Sequence, residues 1–176
     1  MKATGIVRRI DDLGRVVIPK EIRRTMRIRE GDPLEIYTDK DGEVIFKKYS
    51  PMGELSEFAS QICDTLHKTT GCAVAVADRD SIIAAAGAHK REIMDKRVSN
   101  ELEQIMEERQ IYQFTGAGTA PSVIEGNEKP VISIAAPIIS EGDLMGCVIF
   151  TGDPLTETEL KLAQTISGFL GKQMES

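Results

Sequence analysis

Apolar residues recur along this chain in two alternating rhythms, one of strands and one of helices. Residues 4–10 and 15–18 are short β-branched runs, the pattern of strands. Asp11-Asp12-Leu13-Gly14 between them has the composition of a turn. Pro19 closes the second run, because proline brings no N–H to a ladder. Over residues 20–28 the rhythm changes: Ile22 and Met26 stand four apart, which predicts a short helix. Residues 34–37 and 44–46 read as two more strands around the hairpin turn Asp39-Lys40-Asp41-Gly42. The order is ββαββ, with Leu13, Val16, Ile18, Ile36 and Ile45 as its expected core. About fifty residues is close to the lower limit for an independent core, so association is the expected source of further burial.

The pattern breaks near residue 50, giving domains 1–50 and 51–176. Ser50 suits a helix N-cap and Pro51 the first helical position. Leu55, Ala59, Ile62, Leu66 and Thr69 form a heptad-like stripe, too short to define a coiled coil, and Gly71 ends it. Residues 72–77 and 81–86 are apolar strands around Asp78-Arg79-Asp80. Helices follow at 89–95 and at 100–109, the second capped by Ser99, and 111–114 is a short strand. Residues 115–130 are rich in Gly, Thr, Pro and Ser and read as a long loop. Residues 131–139 and 146–151 are strongly apolar strands about Glu141-Gly142-Asp143. Thr156 and Glu159 have capping-box spacing and open a final helix. That helix carries two apolar stripes, Leu160/Ala163/Ser167/Leu170 and Leu162/Ile166/Phe169, so it needs two neighbours.

Charge changes the picture. The whole chain sums to −6, which argues against a polyanion partner. Residues 1–29 reverse it. Nine bases (Lys2, Arg8, Arg9, Arg15, Lys20, Arg23, Arg24, Arg27, Arg29) against three acids (Asp11, Asp12, Glu21) leave +6, so the remainder carries −12. A basic head on an acidic body points to nucleic acid, although charge alone would equally suit a solvated face. No apolar run approaches the roughly 20 residues of a membrane helix, and no signal-peptide pattern opens the chain. The three cysteines (Cys63, Cys72, Cys147) have no CxxC spacing, which fits a reducing cytoplasm. The absence of Trp disfavours a stacking platform for single strands.

Catalytic and metal chemistry find little support. Cys63 and His67 stand four apart on a helix, yet no further ligands follow at zinc spacing, so a buried thiol and a polar histidine are the simpler reading. Gly116-Ala117-Gly118 lacks the third glycine of a dinucleotide loop. Nucleophile-elbow, phosphate-loop and zinc-protease patterns are absent, and two distant histidines offer little acid–base capacity. The chain reads as a non-enzyme without metal or cofactor.

Gly5-Ile6-Val7-Arg8-Arg9, then Leu13-Gly14-Arg15-Val16-Val17-Ile18-Pro19 and Ile22-Arg23-Arg24, resemble the AbrB-like swapped-hairpin DNA-binding domain of transition-state regulators. Residues 34–37 and 47–49 extend the likeness. The second domain resembles a GAF sensor domain by its order of elements, and the whole chain is similar to sporulation regulators of this family. The resemblance implies an α+β protein: an N-terminal swapped-hairpin β-barrel dimer, then a GAF-like domain with an antiparallel sheet flanked by helices. It places Arg8, Arg15, Arg23 and Arg24 on double-stranded DNA. Arginine suits this, since it pairs phosphate bidentately or reads guanine O6 and N7. Lys2, Arg9 and Lys20 are secondary, phosphate-type candidates. The family binds without a tight consensus, so phosphate contact and DNA shape are the expected terms, with activation and repression of sporulation genes as the outcome.

A GAF-like domain further implies a small-molecule pocket between the sheet and the 115–130 loop, with Ser81, Thr115, Thr119, Ser122 and Ser133 as candidate lining. Each also reads as an ordinary loop or strand polar residue. Cyclic-nucleotide and bilin signatures are absent, so no ligand is named. Terminal helices would join dimers into a tetramer. The alternative is an antitoxin-like partner-binding protein, because the same β-fold serves toxin neutralisation. That alternative usually carries a disordered tail where this chain has a patterned domain.

Overall fold

Pro19 sets the first helix. In the computed structural model, which describes residues 2–175, its φ of −58° and ψ of 148° lead directly into α1 (Lys20–Met26). The helix ends two residues before the predicted Ile28. Arg27 turns left-handed at φ 52°, and the Ile28 N–H bonds the Arg23 carbonyl at 2.8 Å, a Schellman-type closure. β1 (Leu34–Thr38) and β2 (Val44–Lys48) pair antiparallel, from Leu34 opposite Lys48 to Thr38 opposite Val44. Asp39 organises their turn by accepting the N–H groups of Asp41 and Glu43, and these bonds hold its carboxyl below the ordinary range.

The expected strands at 4–10 and 15–18 are not strands here. Their turn forms, with Asp11 N–H bonded to the Arg15 carbonyl at 2.9 Å and Gly14 left-handed at φ 77°. Beyond it no ladder runs between them. A strand exists only where a neighbour pairs its N–H and C=O groups, and among the described residues of one chain none lies beside these segments. Nor does the predicted core form within the chain. Leu13, Val16 and Ile36 are exposed and Ile18 and Ile45 only half-buried. Among residues 2–49, Pro19 alone is buried.

The chain divides into two compact units, one ending at Tyr49 and the other beginning at Ser50. In the second unit the Ser50 hydroxyl accepts the Gly53 N–H and caps α2 (Pro51–Glu54). The single helix expected from Pro51 to Gly71 is broken. Leu55 leaves the ladder at φ −94° and ψ 9°, and α3 (Ser56–Thr70) restarts after it. With that break Met52 is fully buried.

A five-stranded antiparallel sheet follows, in the order β4-β3-β7-β6-β5. Its members are β3 (Ala73–Asp78), β4 (Ile82–Ala86), β5 (Tyr112–Gln113), β6 (Ile132–Ser140) and β7 (Asp143–Thr151). Between β4 and β5 lie α4 (Lys90–Ile93), shorter than predicted, and α5 (Asn100–Glu107), capped by Ser99. α6 (Glu157–Gln173) closes the unit behind the Thr156/Glu159 capping box. The sheet is covered on both faces. Ile93, Leu102, Ile105 and Met106 of α4 and α5 pack on one core with Val123 and Ile124. Met52, Ala59, Cys63, Leu66, Ala163 and Leu170 form the other.

Candidate nucleic-acid interface

Every basic residue proposed for DNA contact lies in the unit that ends at Tyr49, and every one is exposed. Lys2, Arg8 and Arg9 lie on the extended segment before the turn. Arg15 follows the turn, and Lys20, Arg23 and Arg24 lie on α1.

The turn is built around one carboxylate. Asp11 Oδ1 accepts the backbone N–H groups of Leu13 at 3.0 Å and Arg15 at 2.8 Å, while Oδ2 accepts the Arg15 Nε–H at 2.8 Å. The backbone bond from Arg15, then its guanidinium, hold the Asp11 carboxyl below the ordinary range. The Arg15 side chain nevertheless stays 70% exposed. Arg23 is also tied back, its Nε–H donating to the Ile18 carbonyl at 3.1 Å.

Two arginines that contribute to the basic count are less accessible than the rest. Arg27 and Arg29 are half-buried. The Arg27 carbonyl accepts the Lys48 Nζ at 2.7 Å, the Arg29 N–H bonds Asp32 Oδ2, and Lys48 reaches that same oxygen at 3.8 Å. These contacts run through the Arg27 and Arg29 backbone and join the end of α1 to β2. Lys47 sits 4.8 Å from the centre of the Tyr37 ring, a cation–π pair that residue types alone do not disclose.

The five residues proposed to line a pocket are not gathered into one site. Thr115 and Thr119 lie exposed on the loop. Ser81 is half-buried and bridged to Arg97. Ser133 is fully buried, its hydroxyl donating to the Asp153 carbonyl at 2.9 Å. The space between sheet and loop holds the buried side chains of Val123 and Ile124. Ser122 borders a cavity of about 250 Å³ between residues 99–101 and residues 122–128.

Cys63 and His67 are engaged separately. Burial pushes the Cys63 thiol up to about 12, and His67 Nδ1 lies 2.7 Å from the Cys72 carbonyl. Among the described residues no three His, Cys, Asp or Glu side chains converge, and no helix is long and apolar enough to cross a membrane.

Residues 54–175 match the family described as stage V sporulation protein T C-terminal, transcription factor. Residues 7–53 match the family described as antidote-toxin recognition MazE, bacterial antitoxin. The chain is 50% identical to stage V sporulation protein T of Bacillus subtilis (strain 168) over 177 residues, covering 99% of each protein. It is 65% identical over 51 residues to the transition state regulatory protein AbrB of the same organism, covering 29% of this chain and 52% of that one. Among solved structures, a GAF domain/HD domain protein from Geobacter sulfurreducens superposes with a TM-score of 0.52. Its identity is 14%, over 73% of this chain and 98% of that one, so this likeness concerns the fold alone.

Proposed function

We propose a function from one premise: this chain belongs to the stage V sporulation protein T family of transcription factors. It is a DNA-binding regulator associated with sporulation and not an enzyme. Its AbrB-like unit binds DNA, and a GAF-like unit follows it. In our reading it activates some sporulation genes and represses others.

One observation carries the reading of the interface. The unit ending at Tyr49 exposes Arg8, Arg15, Arg23 and Arg24 together with large apolar side chains, among them Val7 at 89% and Val17 at 70%. A unit so short of buried residues gains a core by exchanging hairpins with a second chain, and the paired unit presents two sets of arginines to one duplex. Arg8, Arg15, Arg23 and Arg24 are its principal contacts, with Lys2, Arg9 and Lys20 on phosphates. α3 and α6 form the second interface. Phe169 is 44% exposed with its ring centre 5.9 Å from that of Phe58, an apolar surface suited to joining two dimers in a tetramer. The GAF-like unit is the sensor, and the cavity beside Ser122 is where a small molecule would sit; thermal shift against metabolite mixtures tests it.

The MazE match over residues 7–53 favours a second reading, an antitoxin-like partner-binding protein. The folded unit after Ser50 weighs against it, because it stands where a toxin-wrapping tail would be. Footprinting of the full chain on promoter fragments decides between them. Protection that weakens steeply with added salt is expected. No protection at physiological salt would overturn the regulator reading.

A further inference from the structure

An acidic side chain at a DNA-binding turn needs a reason, because it repels the phosphates that the neighbouring arginines attract. The two turn amides explain the oxygen but not the charge, since asparagine would accept them too, and an exposed ion pair such as Asp11–Arg15 contributes little to stability. Geometry supplies the reason. A guanidinium presents its N–H donors in one rigid plane. Asp11 grips that plane at the Nε edge while its other oxygen holds the Leu13 and Arg15 amides of the same turn. The orientation of the guanidinium is thereby tied to the backbone, and its terminal nitrogens remain available on a side chain that is 70% exposed.

We propose that Asp11 is a positioning residue for DNA binding: it fixes Arg15 by its Nε so that the terminal nitrogens meet phosphate or a guanine edge in a preset orientation. Arg23 shows the same arrangement with a neutral anchor, its Nε bonded to the Ile18 carbonyl at 3.1 Å. Asp12 is the internal contrast. It is exposed beside Asp11, and among the described residues it holds no arginine. Holding a long side chain in its bound conformation before the encounter lowers the ordering cost of binding.

The proposal rests on the reading that Arg15 touches DNA, and one set of variants tests both. Affinity of the full chain for a mixed-sequence duplex is measured for Asp11→Asn, Asp12→Asn, Arg15→Ala and the Asp11→Asn/Arg15→Ala double variant. Asp11→Asn keeps an oxygen for the two turn amides and turns an N–H₂ group toward Arg15 Nε, so it removes the anchor and spares the turn. Asp12→Asn, which only deletes a negative charge, should tighten binding slightly. Asp11→Asn should weaken it about fivefold, the size of a coupling between directly bonded side chains. That loss should vanish in the Arg15→Ala background. Tighter or unchanged binding by Asp11→Asn overturns the proposal, and so does an equal loss with and without Arg15, which is also what general damage to the turn would give. If Arg15→Ala alone leaves affinity unchanged, the contact reading itself fails.

Discussion

Arg23 and Arg24 are adjacent and chemically identical, yet the structure separates their roles. Arg23 donates to the Ile18 carbonyl and so helps hold the junction before α1, whereas Arg24 is exposed on the helix surface. Arg24→Ala should therefore weaken DNA binding without changing the thermal midpoint. If the proposed dimer binds and one phosphate partner is removed from each protomer, the slope of log K against log salt should fall by about 2, measured by fluorescence anisotropy. Arg23→Ala should lower both affinity and the midpoint. The charge on these residues is legible in the sequence, but the Nε anchors are not, because they depend on where a backbone carbonyl or carboxylate lies after the chain has turned. Cys63 makes a prediction of opposite sense. Its thiol rises from 9.0 to about 12 through burial, with the Asp64 charge adding to the effect and Lys90 opposing it. The folded state holds that proton more tightly than the unfolded chain, so stability present below pH 9.0 is lost progressively toward about 12. Denaturant melts at rising pH should show a shallower alkaline loss for Cys63→Ala, on a lower starting stability caused by the cavity.

At the scale of elements, the two glycines of α6 are alike in sequence and opposite in environment. A Cβ at Gly171 would collide with the Ile139 carbonyl where the helix crosses β6, while a Cβ at Gly168 meets nothing within 4 Å. Gly171→Ala should destabilise the second unit by about 1–3 kcal/mol through overpacking. Gly168→Ala should stabilise it by up to about 1 kcal/mol, the helix propensity gained. Chemical denaturation of both variants checks the contrast, and equal effects would show that α6 does not approach β6 closely. Caps were readable here because their partners lie within three residues, as with Ser50, Ser99 and the Thr156/Glu159 box. The break at Leu55 was not, since the stripe through Leu55 and Ala59 continues across it. The surroundings of Ser133 were not legible for a related reason. β6 is covered on both faces, so alternation could not tell whether Ser133 faces a cavity or the core.

At the scale of the whole molecule, each unit leaves large apolar side chains exposed. The first unit leaves Val7, Leu13 and Val17 exposed at 89%, 71% and 70%, and the second leaves Phe169 exposed on α6. If terminal helices join dimers into a tetramer, Phe169→Glu should yield dimers by analytical ultracentrifugation, with the second unit still folded by circular dichroism. A variant that stays tetrameric would place the interface elsewhere. The sequence by itself determined the unit boundary signal at Ser50-Pro51, the sign of the charge on each side of it, the helix caps, and the family to which the motif of residues 5–24 pointed. All of these are local: a cap, a turn or a charge count needs only neighbours along the chain. Tertiary structure alone decided which arginines are half-buried and which are exposed, where the sheet closes over Ser133, and that the apolar runs of residues 4–10 and 15–18 find no partner among the described residues of their own chain. Those outcomes depend on contacts between residues far apart in sequence, whose energies exist only once packing has brought the groups together.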